Sequence, residues 1–184
     1  MFKYLIIFIL SLTLCSCFKC DLYLTNQKGL RSSKLYKKYL KNRIDPNHVN
    51  IKTHGVYKSI KYKYEEESKK ISKITDTINL KNDYYFKFYT NGTYYSFSKK
   101  RNAPLNKNSF DPEKGKIGFV IHKRNKNYFL DYSTINCGSF SKWEFETKKD
   151  TLIVKQGNNK GWRIFYYYVL QDVSNEFLNY PTKI

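Results

Sequence analysis

The feature that most constrains the fold is a series of short segments, between residues 55 and 170, in which apolar and polar side chains alternate. In the first segment, Ile60, Tyr62 and Tyr64 alternate with a serine and two lysines. A period of two residues places the apolar side chains on one face of an extended chain, as in a half-buried β-strand. The sequence therefore predicts a fold built mainly from strands.

Turn signals separate these segments. Asn91-Gly92 lies between the aromatic-rich residues 84–89 and 94–97, and Asn-Gly favours the positive φ angles of a type I′ hairpin turn. The short polar connections between later segments are residues 123–127, 148–150 and 156–161. Because strands joined by short turns pair with each other, this spacing predicts an antiparallel meander.

The set of predicted strands has eight or nine members. Residues 71–80 are ambiguous, because three isoleucines there have helical spacing whereas two threonines favour a strand. Residues 162–170 are apolar almost throughout, which predicts a strand covered on both faces. The other predicted strands are residues 56–64, 84–89, 94–97, 116–122, 128–133, 142–147 and 151–156.

A meander of this many strands has to protect its two edges. Closure into a barrel removes the edges, and about eight strands enclose an interior that side chains or one small ligand can fill. We therefore predict a mainly β fold in which about eight antiparallel strands are closed, or nearly closed, into a barrel after a short N-terminal helix. An open β-sandwich or half-barrel is the alternative.

The N-terminal residues carry a second, separate pattern. Lys3 precedes an apolar run that ends at Leu14, and this run is shorter than the roughly 20 residues that a membrane-spanning helix needs. Positive charge, a short apolar run and then small residues are typical of a secretory signal peptide.

The three N-terminal cysteines differ in the residue that precedes each of them. Cys17 follows the small Ser16, whereas Cys15 follows a leucine and Cys20 a lysine. A signal peptidase has to close around the bond that it cleaves, which favours a small residue there. Cleavage directly before Cys17 is therefore favoured over cleavage before Cys15 or Cys20.

Residues 14–17 resemble the lipobox of bacterial lipoproteins. The resemblance implies a signal peptide at residues 1–16, a lipidated tether with a short helix at residues 17–50, and a β domain at residues 51–184. It also implies lipidation of Cys17, export to a bacterial cell envelope and anchoring in a membrane, the outer membrane, through acyl chains on that cysteine. Ordinary cleavage near Ser16 without lipidation is the alternative.

Cys20 and Cys137 remain as a candidate disulfide pair, since an exported compartment permits disulfides. A bridge between them would close a loop of over 100 residues and contribute about 4–5 kcal/mol in the chain-entropy model. Because Cys20 lies in the tether and Cys137 in a turn-like sequence, free thiols are the alternative.

Residues 32–44 predict a short amphipathic helix that ends before Asp45-Pro46. One face carries leucine, tyrosine and isoleucine, and the other carries lysine and arginine. The apolar face packs on the β domain in one interpretation, and in the other the helix lies against anionic lipid headgroups.

The formal charge of +19, from 34 basic and 15 acidic residues, favours anionic partners such as an acidic polysaccharide or a membrane surface. The lysines are spread along the whole chain, so coding bias in an AT-rich genome is the alternative explanation. Nucleic acid is not an expected partner for an exported protein, and nothing in the sequence predicts an oligomeric state.

The β segments also resemble small bacterial lipocalin-like lipoprotein domains over about residues 51–172. The resemblance rests on Gly55-Val56-Tyr57, on residues 86–93 and on the regular hairpins that follow, while the Gly-x-Trp of animal lipocalins is missing. It implies a barrel that binds a small amphipathic ligand.

We find no catalytic constellation, no metal-ligand spacing and no cofactor motif in the sequence, which predicts a binding protein and not an enzyme. Aromatic side chains of the C-terminal strands are the candidate ligand contacts, and Arg163 is a candidate partner for an anionic group of the ligand. A filled aromatic core is the alternative. The aromatic candidates are Trp143, Trp162, Tyr166 and Tyr168.

Overall fold

A computed structural model describes residues 34–67, 69–77, 80–110, 116–133, 139–157, 161–174 and 177. The predicted signal peptide and the cysteines Cys17, Cys20 and Cys137 lie outside the described residues. Strands account for most of the described chain, so the prediction of a mainly β fold is confirmed.

One α-helix, two 3₁₀ helices and nine strands make up the described part of the chain. The helices are α1 (Lys34–Lys41) and the 3₁₀ helices Pro46–Val49 and Lys107–Phe110. The strands are β1 (Gly55–Glu66), β2 (Ile71–Asp76), β3 (Asn82–Phe88), β4 (Thr93–Lys100), β5 (Lys116–Lys123), β6 (Lys126–Ser133), β7 (Ser139–Lys148), β8 (Thr151–Gly157) and β9 (Trp162–Asp172). No helix among these residues is long and apolar enough to cross a membrane.

The strands form one sheet in the order β2-β1-β3-β4-β5-β6-β7-β8-β9, and β1 also pairs with β9. This last antiparallel pairing runs from Gly55 opposite Asp172 to Glu66 opposite Trp162. It closes eight strands into a barrel, and β2 is an extra ninth strand. The predicted closed meander is confirmed, and the open sandwich is excluded.

Strand β1 is shared between two neighbours. Its first part pairs with β3 at residues 56–58, and its second part pairs with β2 at residues 61–66. The register with β9 shifts between Ser59 and Lys61, and such a bulge increases the local twist of a strand. Because β9 occupies one edge of β1 along its length, β2 and β3 share the other edge in succession.

The bulge corrects the predicted faces of β1. Ser59 is buried, whereas Ile60 is 40% exposed, although the alternation of the sequence placed Ile60 with Tyr62. Ser59 lies opposite Tyr168 and Tyr62 lies opposite Tyr166, so both residues share a face. An inserted residue at a bulge reverses the alternation locally.

One turn differs from its predicted geometry. Among the described residues, Gly92 has a positive φ of 81° and Asn91 does not, so this loop is not type I′. The Gly92 N–H donates to the Tyr89 carbonyl and the Tyr89 N–H to the Thr93 carbonyl, which is a three-residue hairpin loop with a bulge. The pair with positive φ at both positions is Arg124-Asn125, between β5 and β6.

The chain divides into two compact units, residues 1–42 with 132–141, and residues 43–131 with 142–184. In the first unit the Tyr39 ring packs edge-on against Phe140, with centroids 4.8 Å apart. Helix α1 ends at Lys41, three residues before Ile44, the predicted end of the helix. In the second unit the Ile44 N–H donates instead to the Val120 carbonyl of β5 at 3.0 Å, which holds the chain in an extended path.

Aromatic rings fill much of the barrel interior. The Phe129 ring stacks on Phe145 with centroids 4.1 Å apart, and it contacts Phe88 at 5.4 Å and Tyr94 at 5.0 Å. Each such pair contributes about 0.5–1.5 kcal/mol beyond its buried area. The interior is therefore a packed core at this level of the barrel.

Residues 44–51 cover one end of the barrel. Val49 and Ile51 are buried in the same core as Phe129. The Thr147 hydroxyl donates to the Val49 carbonyl at 3.0 Å, and the Lys52 N–H donates to the Tyr57 hydroxyl at 2.9 Å.

A second cluster lies on the outer face of β3 and β4. Tyr85 stacks on Phe97 with centroids 5.1 Å apart, and Phe110 of the second 3₁₀ helix packs edge-on against Phe97. Lys87 is also buried there, with 3% of its surface exposed, and its ammonium donates to the Thr53 carbonyl. Strands β3 and β4 are thus covered on both faces.

Strand β9 is not covered on both faces, contrary to the prediction from its apolar sequence. Tyr168 alone of its residues is buried, and most of the others are half-buried. Lysine side chains lie over its outward rings: the Lys61 ammonium lies 5.2 Å from the centre of the Tyr167 ring. Long lysine stems can cover apolar surface while their charges stay in water. An apolar strand can therefore form part of the barrel wall without a second layer of structure packed on its outer face.

Candidate ligand cavity

The end of the barrel opposite residues 44–51 contains a cavity of about 420 Å³. Its lining comes from β3, β4, β5, β6, β7, β8 and β9, all within the second compact unit. The apolar and aromatic side chains that line it include Phe86, Tyr94, Phe129, Trp143, Val154 and Tyr168. A space of this size is within the usual range for small-molecule sites.

Two serines explain why the barrel is not filled at this end. Ser96 of β4 lies opposite Phe86 of β3, and Ser98 lies opposite Tyr84. All four residues line the cavity. Side chains opposite each other in an antiparallel pair share one face of the sheet, so each small serine leaves open the volume that a second large side chain would occupy.

Gly118 of β5 allows the Tyr94 ring to lie flat against the wall. A Cβ atom at this position would collide with the Tyr94 hydroxyl and with the Leu130 carbonyl. Tyr94 is almost completely buried, and burial raises the pKa of its hydroxyl well above the usual range. The ring is therefore a fixed, neutral part of the cavity wall.

Asp131 and Lys116 are the charged residues of the cavity lining. Asp131 of β6 lies opposite Gly118, and Lys116 precedes Gly118 by two residues on the same face of β5. The Lys116 ammonium is 3.9 Å from Asp131 Oδ2, which is too long for a hydrogen bond. Asp131 Oδ1 is buried and has no hydrogen-bond partner among the described residues.

The environment of Asp131 opposes its ionisation. Burial raises the pKa of this carboxyl, and the nearby Lys116 charge acts in the opposite direction. The site therefore combines aromatic walls with one poorly compensated acid.

The structure brings together three of the aromatic residues proposed from the sequence. Trp143 and Tyr168 line the cavity, and the Tyr166 ring lies 6.4 Å from the Trp143 ring. The Tyr166 hydroxyl donates to Gln156 Oε1 at 3.3 Å, and burial raises its pKa. These residues belong to the cavity and its immediate support.

Trp162 and Arg163 do not line the cavity. Trp162 has the same alternation on β9 as Tyr166 and Tyr168, but it is the first residue of the strand, opposite Glu66, and is not among the residues that line the cavity. Arg163 alternates with the inward residues of β9 and forms an ion pair with Glu67. The Arg163 guanidinium therefore does not reach a ligand bound inside the barrel.

Sequence reasoning missed the polar lining of the cavity, namely Ser96, Ser98, Lys116 and Asp131. Their position two residues from a core aromatic residue could have identified them: Ser96 lies two residues after Tyr94, and Asp131 lies two residues after Phe129. Such spacing puts a polar side chain on the inward face of a strand. A polar residue on the apolar face of a strand is thus the pattern that could have identified the site.

No group of three or more histidine, cysteine, aspartate or glutamate side chains within the described ranges is placed to hold a metal ion. His122 is oriented by Asn127 instead, with its Nδ1 atom 2.8 Å from the Asn127 Oδ1 atom. The cavity therefore stands as the candidate site on its shape and its two charged residues.

Comparison with known proteins adds no functional assignment to this geometry. No family model matches the chain, and no curated protein or solved structure matches it significantly.

Proposed function

We propose that the barrel binds a small amphipathic molecule in its cavity and does not convert it chemically. The cavity of about 420 Å³ at the barrel end opposite residues 44–51 carries this proposal. Small-molecule sites are typically apolar and aromatic hollows with a few polar groups that orient the ligand. The lining described above has this composition.

The distribution of polar groups favours an amphipathic ligand over a purely apolar one. Phe86, Phe129 and Val154 offer apolar contacts, while Lys116 and Asp131 offer charge on one side of the wall. An apolar body would gain from leaving water at roughly 25 cal/mol per Å² buried. A polar end would fix the orientation of that body.

Ser96→Trp tests the proposal by filling the cavity. The uncharged fluorescent probe N-phenylnaphthylamine should bind the parent protein, and we expect its affinity to fall by at least about tenfold in the variant, because the indole occupies the space opposite Phe86. Fluorescence titration measures the affinity, and thermal unfolding shows whether the variant still folds.

Ser72→Trp is the matched control, since Ser72 is exposed on β2 and makes no contribution to the cavity. Equal loss of binding in the two variants, or no loss in Ser96→Trp, would contradict the proposal. Binding in the cavity should also be insensitive to salt. Docking of an acidic polysaccharide or membrane on a lysine-rich face would instead weaken steeply with ionic strength.

We further propose that the protein is held on a bacterial envelope membrane by acyl chains on Cys17, on the strength of the lipobox-like residues 14–17. Cys17→Ser should abolish incorporation of labelled palmitate and release the full chain from the membrane fraction, because two or more acyl chains are needed for stable anchoring. Cys20→Ser should retain both properties. Persistent label in Cys17→Ser would refute the assignment.

A further inference from the structure

Asp131 is the one acid among the described residues that line the cavity. Its Oδ1 atom lacks a hydrogen-bond partner in the described chain, and its side chain keeps 21% of its surface exposed. Leaving a buried acceptor unpaired is costly, and native proteins rarely do so. The exposed part of this carboxylate is therefore the part suited to a hydrogen-bond donor that arrives with a ligand.

Lys116 is a weak counter-ion for this carboxylate. Its side chain is 68% exposed, and its ammonium stays 3.9 Å away. Exposed lysine pairs of this kind contribute little, because water and salt screen them. A ligand group could therefore displace Lys116 from Asp131 at low cost.

Asp83 shows how the same chain compensates a structural carboxylate. Asp83 Oδ2 lies 2.9 Å from the Lys58 ammonium, and Oδ1 lies 3.3 Å from the Arg101 guanidinium. Each Asp83 oxygen thus has a cation within 3.3 Å, whereas the Lys116 ammonium stays 3.9 Å from Asp131, although Asp83 Oδ1 and Asp131 Oδ1 both lack a hydrogen-bond donor among the described residues. The charge of Asp131 is therefore the less compensated of the two.

The walls of the cavity favour the same kind of ligand. Aromatic rings present a negative face, which attracts a cation within about 6 Å of the ring centre. Tyr94, Phe129, Trp143 and Tyr168 contribute rings to the lining. A carboxylate beside several ring faces attracts an ammonium group and repels an anion.

The geometry points to an organic cation as the ligand: an amine joined to an apolar body, with its ammonium group against Asp131 and its body against the aromatic walls. This assignment rests on the proposed function, because it names the chemical class that the same cavity selects. The net charge of +19 repels a cation at long range, so the selectivity comes from the cavity alone. Added salt should therefore leave the affinity unchanged or raise it slightly.

A matched series of competitors tests the assignment. Phenylbutylamine, phenylbutanol and phenylbutyrate share one apolar body and differ in charge, and each is titrated against bound N-phenylnaphthylamine at neutral pH. We expect the amine to compete at least about tenfold better than the alcohol, since a hydrogen bond to a charged group is worth about that factor. Phenylbutyrate should be the weakest of the three.

Two variants should shift the amine affinity in opposite directions. Asp131→Asn keeps the shape of the side chain and should remove the preference for the amine over the alcohol. Lys116→Met removes the competing cation and should strengthen amine binding by several-fold. Glu146→Gln is the control for loss of a negative charge, because Glu146 lies outside the cavity lining and is 60% exposed.

The outcomes separate this inference from the proposed function. If N-phenylnaphthylamine fails to bind the parent protein, the proposed function and the inference fail together. If it binds but the three competitors are equivalent, or phenylbutyrate is best and loses affinity in Lys116→Met, the cavity binds ligands and the cationic assignment is overturned.

Discussion

Replacing Asp83 by alanine should destabilise the barrel by about 3–5 kcal/mol, the usual cost of removing one partner from a buried ion pair. The Asp83 carboxylate is 2% exposed and lies between Lys58 and Arg101, at 2.9 and 3.3 Å. These two cations are only about a quarter exposed. Without Asp83, they would remain partly buried with no carboxylate between them.

The position of Asp83 adds to the expected effect. It lies where β1 leaves β3 and begins to pair with β2. Arg101 donates to the Leu80 carbonyl at 3.0 Å and to the Thr77 carbonyl, and the Thr77 hydroxyl donates to the Ser59 carbonyl. The carboxylate therefore holds a network that joins the connection before β3 to the bulge of β1.

Asp150→Ala is the matched control for Asp83→Ala. Asp150 also pairs with a lysine, Lys52, at 2.6 Å, but its side chain is 57% exposed. Exposed pairs contribute about 0–1 kcal/mol, so this variant should lie close to the parent. Urea unfolding followed by tryptophan fluorescence gives both free energies, and equal small losses would show that the Asp83 network does not stabilise the junction.

The closed meander was predictable because its signals are local. Alternation along β3, β4 and β5 and short polar turns between later strands need no knowledge of distant contacts. The Asn91-Gly92 loop shows the limit of this approach. Its place in the chain was right, but its turn type was wrong, since the approach of the Ile44 carbonyl to Gly92 is a tertiary contact.

The bulge at Ile60 and the position of β2 outside the closed barrel were not predictable in this way. Regular alternation in the sequence continues from Ser59 to Tyr64, yet the register with β9 shifts at Ile60. A bulge depends on which partner strand lies beside each half of β1. That partnership is decided by closure of the whole barrel.

The candidate site was predictable only in its aromatic part. Trp143 and Tyr168 were recognised because large rings in late strands suit a binding cavity. Arg163 was included for its charge, but it alternates with the inward residues of β9, so its side chain lies outside the barrel and pairs with Glu67. Asp131 was not proposed from the sequence, because a polar residue can be assigned to the inward face only when it is known which residues of its strand point inward.

Replacing Lys87 by methionine should stabilise the protein at neutral pH. Lys87 is 3% exposed on β3, and burial lowers its pKa to about 8 from 10.5. A tenfold change in a protonation equilibrium is about 1.4 kcal/mol, so holding this lysine protonated in the fold costs about 3 kcal/mol. Methionine keeps an unbranched apolar stem and forfeits a hydrogen bond to the Thr53 carbonyl, worth about 1 kcal/mol.

The stabilisation should depend on pH in a defined direction. Below pH 8, both the folded and the unfolded chain carry a protonated Lys87, and the cost of burying the charge is fully present. Between pH 8 and about 10.5 the unfolded chain binds more protons than the folded one, so the stability contributed by this group rises with pH. The advantage of Lys87→Met should therefore shrink over that interval.

The neighbouring Tyr89 does not produce the same trend. The Lys87 ammonium lies 5.6 Å from the centre of its ring, and burial raises the pKa of Tyr89 to about 12. Tyr89 thus stays neutral in the folded protein throughout the interval in which Lys87 titrates. Any stability change from the tyrosines is shared by parent and variant and cancels in their difference.

Urea unfolding at a series of pH values from neutral to 10 measures this difference. We expect Lys87→Met to be more stable than the parent by about 2 kcal/mol at neutral pH, with most of that gain lost at pH 10. Lys73→Met, on the exposed side of β2, should change stability by less than about 0.5 kcal/mol. A Lys87→Met variant that is less stable than the parent by the same amount at every pH would mean that the Thr53 carbonyl fully compensates the buried ammonium.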